Sequence, residues 1–152
     1  MARNNLMQMA TIPQPRTLRS FMHAPLRAPL LLAVHPDDET IGASSQLNRF
    51  AGGFIVHLTD GAPLDLRWSL EAGCKTREDY AALRRTELVQ AMGHVNLRAD
   101  QLLTRKLVDQ RACFHLVEQT KWLADFILEH DIDWVMTHPY EGGHPDHDAA
   151  SF

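Results

Sequence analysis

The sequence predicts an α/β domain built on a mostly parallel sheet, and three observations carry that prediction. Leu30-Leu-Leu-Ala-Val34 is an aliphatic run too short for a helix and reads as a buried strand. A helical stretch and a second apolar run, Phe54-Ile-Val-His-Leu-Thr59, follow it, giving a βαβ unit with a right-handed crossover. A third short run, Asp133-Trp-Val-Met-Thr137, feeds a second cluster of histidines and acids near the end of the chain. His-Pro-Asp thus occurs twice, at His35 and at His144, each time shortly after a predicted strand end, the edge where open α/β sheets bind ligands.

The elements follow in order. Residues 1–28 are polar and proline-dotted and read as a flexible N-terminal arm, so the domain proper is 29–152. Strand one spans Pro29 to His35, because Pro36 cannot donate to a ladder and holds the preceding residue extended. Asp37, Asp38 and Glu39 then open a helix whose N-terminus favours negative charge. That helix runs to Ala51 with Ala43, Leu47, Phe50 and Ala51 on one face. Gly52-Gly53 stops it, and Gly42 and Ser45 let it approach the sheet. His57, in the second strand, reads as a satisfied core histidine. From Ala62 to Lys75 a long loop lies on the same edge as the two clusters, with Trp68 covering core. A helix from Arg77 to Met92 turns Leu88, Ala91 and Met92 inward, and Arg84 and Glu87 are spaced for a surface ion pair. Leu102-Leu-Thr104 is a short strand, and 109–112 is a turn. An amphipathic helix over 113–130 carries Val117, Thr120, Ala124, Ile127 and Leu128 on its apolar stripe. Trp122 and Trp134 read as packing residues.

Composition narrows the function. The chain has 152 residues and a net charge of −4, one domain's worth without the basic stripe that nucleic acid or an anionic membrane requires. No apolar run is long enough for a transmembrane segment, and the N-terminus lacks the apolar core of a secretory signal. Cys74 and Cys113 stand far apart, outside any thiolate zinc spacing, so a cytoplasmic location is expected. Glycine-rich nucleotide loops are absent.

The two clusters suit a metal. Zinc takes imidazole and carboxylate ligands and keeps one position open when it is catalytic. His35 and Asp38, three apart across a turn, can face one point, and His147 from the later loop completes three protein ligands. Asp37 is left beside the metal as a general base for a metal-activated water. His144 is the remaining imidazole, which Asp146 can orient and which, when protonated, would stabilise an oxyanion.

His35-Pro-Asp-Asp-Glu39, with the later His144-Pro-Asp-His147, resembles the N-acetylglucosaminyl-phosphatidylinositol de-N-acetylases, the PIG-L or LmbE-like family. The resemblance covers Leu30 to the end of the chain. It implies a Rossmann-like three-layer fold and zinc-dependent hydrolysis of N-acetyl groups on glucosamine-type conjugates. It also implies His35, Asp38 and His147 as zinc ligands, Asp37 as base and His144 as the group assisting the tetrahedral intermediate. Arg84-x-x-Glu87-Leu88 resembles a family helix motif whose arginine contacts substrate, and Asp109 lies where relatives often carry a loop acid near the sugar. Relatives usually continue well past the second motif. The chain is therefore expected to be truncated, its sheet incomplete at the C-terminus and its exposed edge open to self-association.

The expected function is a zinc-dependent N-deacetylase acting on a small amino-sugar conjugate. Two readings stand beside it. Asp37, Asp38, Asp60, Asp146 and Asp148 could hold two metals in a phosphoesterase, or the chain could be a non-catalytic remnant that binds metal or sugar.

Overall fold

The computed structural model describes residues 26–152. The expected arm falls largely outside them. Four strands, β1 (Pro29–Ala33), β2 (Phe54–Thr59), β3 (Leu102–Leu107) and β4 (Trp134–Thr137), form one sheet in the order β3-β2-β1-β4, every neighbouring pair parallel. Between them run α1 (Asp38–Ala43), α2 (Arg67–Glu71), α3 (Arg77–Gly93) and α4 (Leu116–Glu129); α5 (Pro145–Ser151) follows β4.

Strand pleating sorts the core into two faces. Leu31 and Ile55 point to one side, where Ala43, Leu47, Phe50, Leu88 and Met92 meet them. Leu30, Leu32, Val34, Val56 and Leu58 point to the other, against Ala112 and Phe126. Burial of both faces explains why these strands read as unbroken apolar runs. The result is the three-layer, Rossmann-like α/β arrangement that the sequence predicts.

Several local expectations need correction. The first helix is α-helical only to Ala43 and continues as a 3₁₀ segment over Ser44–Phe50, with Ala51 exposed. Gly42 is exposed with open space where a Cβ would sit, and Ser45 is exposed too, so neither brings the helix close to the sheet. The close approach is at Gly53, where a Cβ would lie 1.8 Å from the Pro29 carbonyl oxygen. On α3, Ala91 is exposed while Leu88 and Met92 are buried. The apolar stripe of α4 is rotated from the expected one: Val117 and Leu128 are 70 % and 76 % exposed, and Phe126 with Trp122, Leu123 and Ile127 faces the sheet. Trp122 stacks on Phe126 with ring centroids 5.0 Å apart, and this larger aromatic surface sets the helix phase over the aliphatic stripe. β3 runs to Leu107 rather than Thr104.

Strand order creates the crevice that matters for function. The chain leaves β1 toward β2 on one side and returns as β4 on the other, so the carboxyl ends of β1 and β4 flank a topological switch point. Thr137 pairs in register with Leu32 and donates its hydroxyl to the Leu32 carbonyl at 3.0 Å. His35 and His138 therefore leave the sheet side by side.

Among the described residues β4 pairs only with β1, which leaves its outer edge unpaired. Residues 1–152 are expected to self-associate through it. Sedimentation velocity should shift to larger species with concentration; a sharp, concentration-independent melt of a monomer would show that this edge is covered.

Candidate metal and catalytic site

The first half of the site is set by the turn after β1. Asp38 begins α1 and folds its carboxylate back on the strand end, where Oδ2 accepts the N–H groups of Val34 at 3.2 Å and His35 at 2.7 Å. Asp37 takes φ 136° and ψ −27°, a conformation that a residue with a Cβ rarely adopts. Its carbonyl caps α1 by accepting from Thr40 and Ile41, both at 2.9 Å. Its N–H donates to Glu39 Oε2 at 3.0 Å. Glu39 is itself buried against His57 at 2.9 Å, so His57 is the satisfied core histidine expected of it.

Arg84 closes the turn from α3. It donates to the Pro36 carbonyl and to Asp37 Oδ2 at 3.0 Å, with the Gly61 carbonyl and the Tyr80 hydroxyl at 3.4 Å. The surface pair with Glu87 is replaced by this inward cluster. Gly61, at φ +68°, must be glycine, since a Cβ there would lie 2.7 Å from Pro36 Cδ.

The second half comes from the segment after β4. Asp148 accepts the N–H groups of Glu141 and Gly142 at 2.9 and 3.0 Å, which shapes the turn between His138 and His144. His144 and His147 stack with centroids 4.3 Å apart, and His138 stacks on His147 at 4.2 Å. His35 meets His144 edge-on at 5.0 Å and His147 at 5.3 Å.

Three imidazoles thus surround the Asp38 carboxylate, and His144 packs against two of them. His35 Nδ1 and His138 Nε2 stand 3.4 Å from Oδ2, and His147 Nε2 stands 3.4 Å from Oδ1. Burial lowers the His147 pKa, and the neighbouring histidines lower it further against the pull of Asp38. Burial would also lower that of His35, but Asp109, Asp146 and Asp38 outweigh it and hold His35 well above the ordinary histidine value. Burial opposes ionisation of Asp38, yet His138, His35 and the backbone donors drive its pKa far below the usual carboxylate range. Imidazole and carboxylate are donors that zinc takes, and one donor atom each from Asp38, His138 and His147, and likewise from His35, His144 and His147, lies within 4.8 Å of the other two, so the residues present fit that ion.

The site residues read from the sequence fall as follows. His35, Asp37, Arg84, Asp109 and His144 line one cleft of about 270 Å³, together with Trp68 and Tyr80. Trp68 is 53 % exposed rather than covering core. Asp38 and His147 lie beside that cleft. Asp109 stands 3.0 Å from His35 Nε2, where a carboxylate fixes the orientation of a ligating imidazole. Asp146 departs from its expected role: it does not orient His144. Its oxygens accept from Gln110 N at 2.7 Å and Ala112 N at 3.0 Å, and Oδ2 lies 3.7 Å from His35 Nε2. His144 Nδ1 is buried without a protein partner among the described residues. The carboxylates that a two-metal phosphoesterase would need are engaged elsewhere, Asp60 by Arg77, Asp148 by the loop backbone and Asp146 as above.

Sequence reasoning missed His138, Tyr80 and the Glu39–His57 pair. The signal for His138 was present: His138-Pro139 leaves β4 as His35-Pro36 leaves β1.

The family model for PIG-L, GlcNAc-PI de-N-acetylase, matches residues 30–152. The chain belongs to the PIG-L family. No curated protein matches it significantly. Among solved structures it is similar to an N,N'-diacetylchitobiose deacetylase from Pyrococcus horikoshii, with a TM-score of 0.69 and 23 % identity over 89 % of this chain and 49 % of that one. A deacetylase of teicoplanin biosynthesis gives 0.65 and 18 %, covering 82 % and 62 %. A pseudoaglycone deacetylase gives 0.68 and 21 %, covering 84 % and 57 %. The chain thus spans roughly half to three-fifths of the length of these PIG-L-like structures, and at such identities they establish the shared fold.

Two predictions follow from the turn and its supports. Glu39 and Asp146 are buried and Asp38 is partly so, which opposes their ionisation, yet hydrogen bonds and neighbouring imidazoles hold each below the carboxylate range. A depressed carboxyl contributes stability above its unfolded value near about 4 and loses it as pH falls through the folded one. Metal-free protein should therefore lose stability steadily below about pH 4. Asp146→Asn should flatten that limb and cost about 1–3 kcal/mol at neutral pH, read by denaturant melts at several pH values.

Arg84→Ala removes the group holding Pro36 and Asp37 in place. It should lower kcat by about tenfold or more through misplacement of Asp37. A rise in KM alone would make Arg84 a substrate contact only.

Proposed function

We propose that this chain is a zinc-dependent amidase that removes the acetyl group from the nitrogen of a glucosamine-type conjugate. The observation that carries the proposal is the placement of Asp37. Its carboxylate opens on the cleft while its neighbour Asp38 is surrounded by imidazoles, so base and ligand are consecutive residues of the chain. Burial raises the Asp37 pKa, with Arg84 only partly opposing, which moves this carboxyl toward the working range of a general base.

His35, Asp38 and His147 would hold the ion. A zinc ion held there supplies a Lewis acid and lowers the pKa of a bound water to about 7. Asp37 takes one proton from the attacking water at its carboxylate and returns it to the amine nitrogen as the C–N bond breaks, so acetate and a free amine leave. His144, whose Nδ1 no protein group occupies, donates a hydrogen bond to the carbonyl oxygen as charge develops on it. Asp109 steadies His35. Trp68 and Tyr80 offer the sugar an aromatic face in the same cleft. The two cysteines are unpaired, in keeping with a reducing cytoplasm, and among the described residues no helix is long and apolar enough to cross a membrane.

The test is a panel of N-acetylglucosamine conjugates scored for free amine with and without a chelator, alongside metal analysis of the same protein. One zinc per chain and chelator-sensitive release are expected. Asp37→Asn should keep the zinc and lose turnover by about a hundredfold or more. Two equivalents of tightly bound metal would favour the phosphoesterase reading, and zinc with no turnover on any conjugate would favour a non-catalytic binding protein.

A further inference from the structure

A second cavity lies between α3 and the β2–β3 side of the sheet. It holds about 640 Å³, and none of its lining residues lines the cleft of Asp37 and His144. Pro36, Ala81, Ala82 and Leu88 give it apolar walls, and three cations, Arg77, Arg85 and Lys106, stand among them. Apolar walls with a few placed polar groups are the make-up of small-molecule sites.

The charges on its wall do not balance. Its acids are Asp60 and Glu78, and Arg77 takes both: Nη1 donates to the two Asp60 oxygens at 2.9 and 2.7 Å, and Nε donates to Glu78 at 3.3 Å. Arg85 donates through Nη2 to the carbonyls of Ala99 and Leu102, at 3.2 and 2.7 Å. Its Nη1 is buried without a partner among the described residues. Burial alone acts on the Arg85 pKa, lowering it, with no acid near enough to oppose. Lys106, at φ 57° where β3 slips register against β2, has no ion pair among the described residues either.

A second orphan atom calls for an occupant. His57 lines the cavity and is fully buried, with Nε2 2.9 Å from Glu39 Oε2. An ionised carboxylate only accepts, so Nε2 carries the proton and Nδ1 is left without a partner among the described residues. Buried polar atoms are nearly always partnered. Here two that are not belong to residues lining one cavity.

We propose that this cavity is a second ligand site, for a small organic carboxylate. Arg85 Nη1 and Lys106 take the acid group, the apolar walls take the carbon chain, and a ligand hydroxyl or a water donates to His57 Nδ1. Phosphate suits it less: Arg85 Nη2 is already spent on two carbonyls, and the carbon walls would strip water from the remaining oxygens without replacing it. The site goes beyond the amidase reading and stands without it.

Amide NMR of the full chain tests this, in titrations with sodium butyrate, with its uncharged isostere butyramide and with inorganic phosphate. Butyrate should give saturable shifts at Ala82, Thr104 and Arg105, and butyramide and phosphate should bind there at least about tenfold more weakly. Arg85→Gln should weaken butyrate by about tenfold or more, and Lys106→Gln by about threefold. Butyramide or phosphate matching butyrate, butyrate shifts confined to residues 35–38 and 138–148, or unchanged affinity in either folded variant overturns the proposal. Arg85 also ties α3 to β3, so if Arg85→Gln does not fold, the exposed Lys106→Gln and the butyramide comparison decide.

Discussion

The carboxylate of Asp38 is the constraint on which the site depends. It is a side chain acting as part of the backbone: by accepting the N–H groups of Val34 and His35 it ends β1, and by doing so with one oxygen it leaves the other toward His147. Residues that terminate a strand and residues that face a ligand are usually different. Here they are one residue, so geometry at the strand end transmits directly to the donor atoms. Burial would ordinarily push this group toward neutrality, and the backbone donors and imidazoles reverse that.

Asp37 carries the strain of that arrangement. A non-glycine residue at φ 136° costs on the order of 1–3 kcal/mol and persists only where neighbours over-determine it. Three separate holds do so here: Glu39 on its N–H, Thr40 and Ile41 on its carbonyl, and Arg84 on its side chain. Glu39 can serve because His57, fully buried in β2, holds its carboxylate at 2.9 Å in the core. A mid-strand histidine that looks merely structural is thus two bonds from the group proposed to move the proton.

What could be read from the sequence follows a physical division. Strands buried on both faces write themselves as apolar runs, so β1, β2 and β4 were legible, as was the clustering of His35, Asp37, Asp38, His144 and His147 at one sheet edge. Roles set by three-dimensional accounting were not. Asp146 lies beside His147 and two residues from the expected partner His144 in sequence, yet it turns away to satisfy the backbone at Gln110 and Ala112, groups that would otherwise lack acceptors. The face of α4 was misjudged because a stripe of aliphatics at helical spacing competed with one carrying Phe126 and Trp122, and contact area decided between them. Gly42 invited a packing argument that Gly53 in fact satisfies.

The position of the site also couples chemistry to fold stability. His35 and Asp38 belong to the β1 side of the crevice, His138 and His147 to the β4 side, and β4 is held to the sheet by a single parallel partner. An ion bound between the two sides would bridge segments roughly a hundred residues apart in sequence. A ligand that binds only the assembled state adds its binding free energy to that state's stability. The ion would therefore secure a short edge strand, so the same contacts that position the reacting groups would also oppose the loss of β4. Strand order, rather than any single residue, makes that coupling unavoidable: with β1 and β4 adjacent and parallel, both histidine-bearing ends must emerge on the same edge.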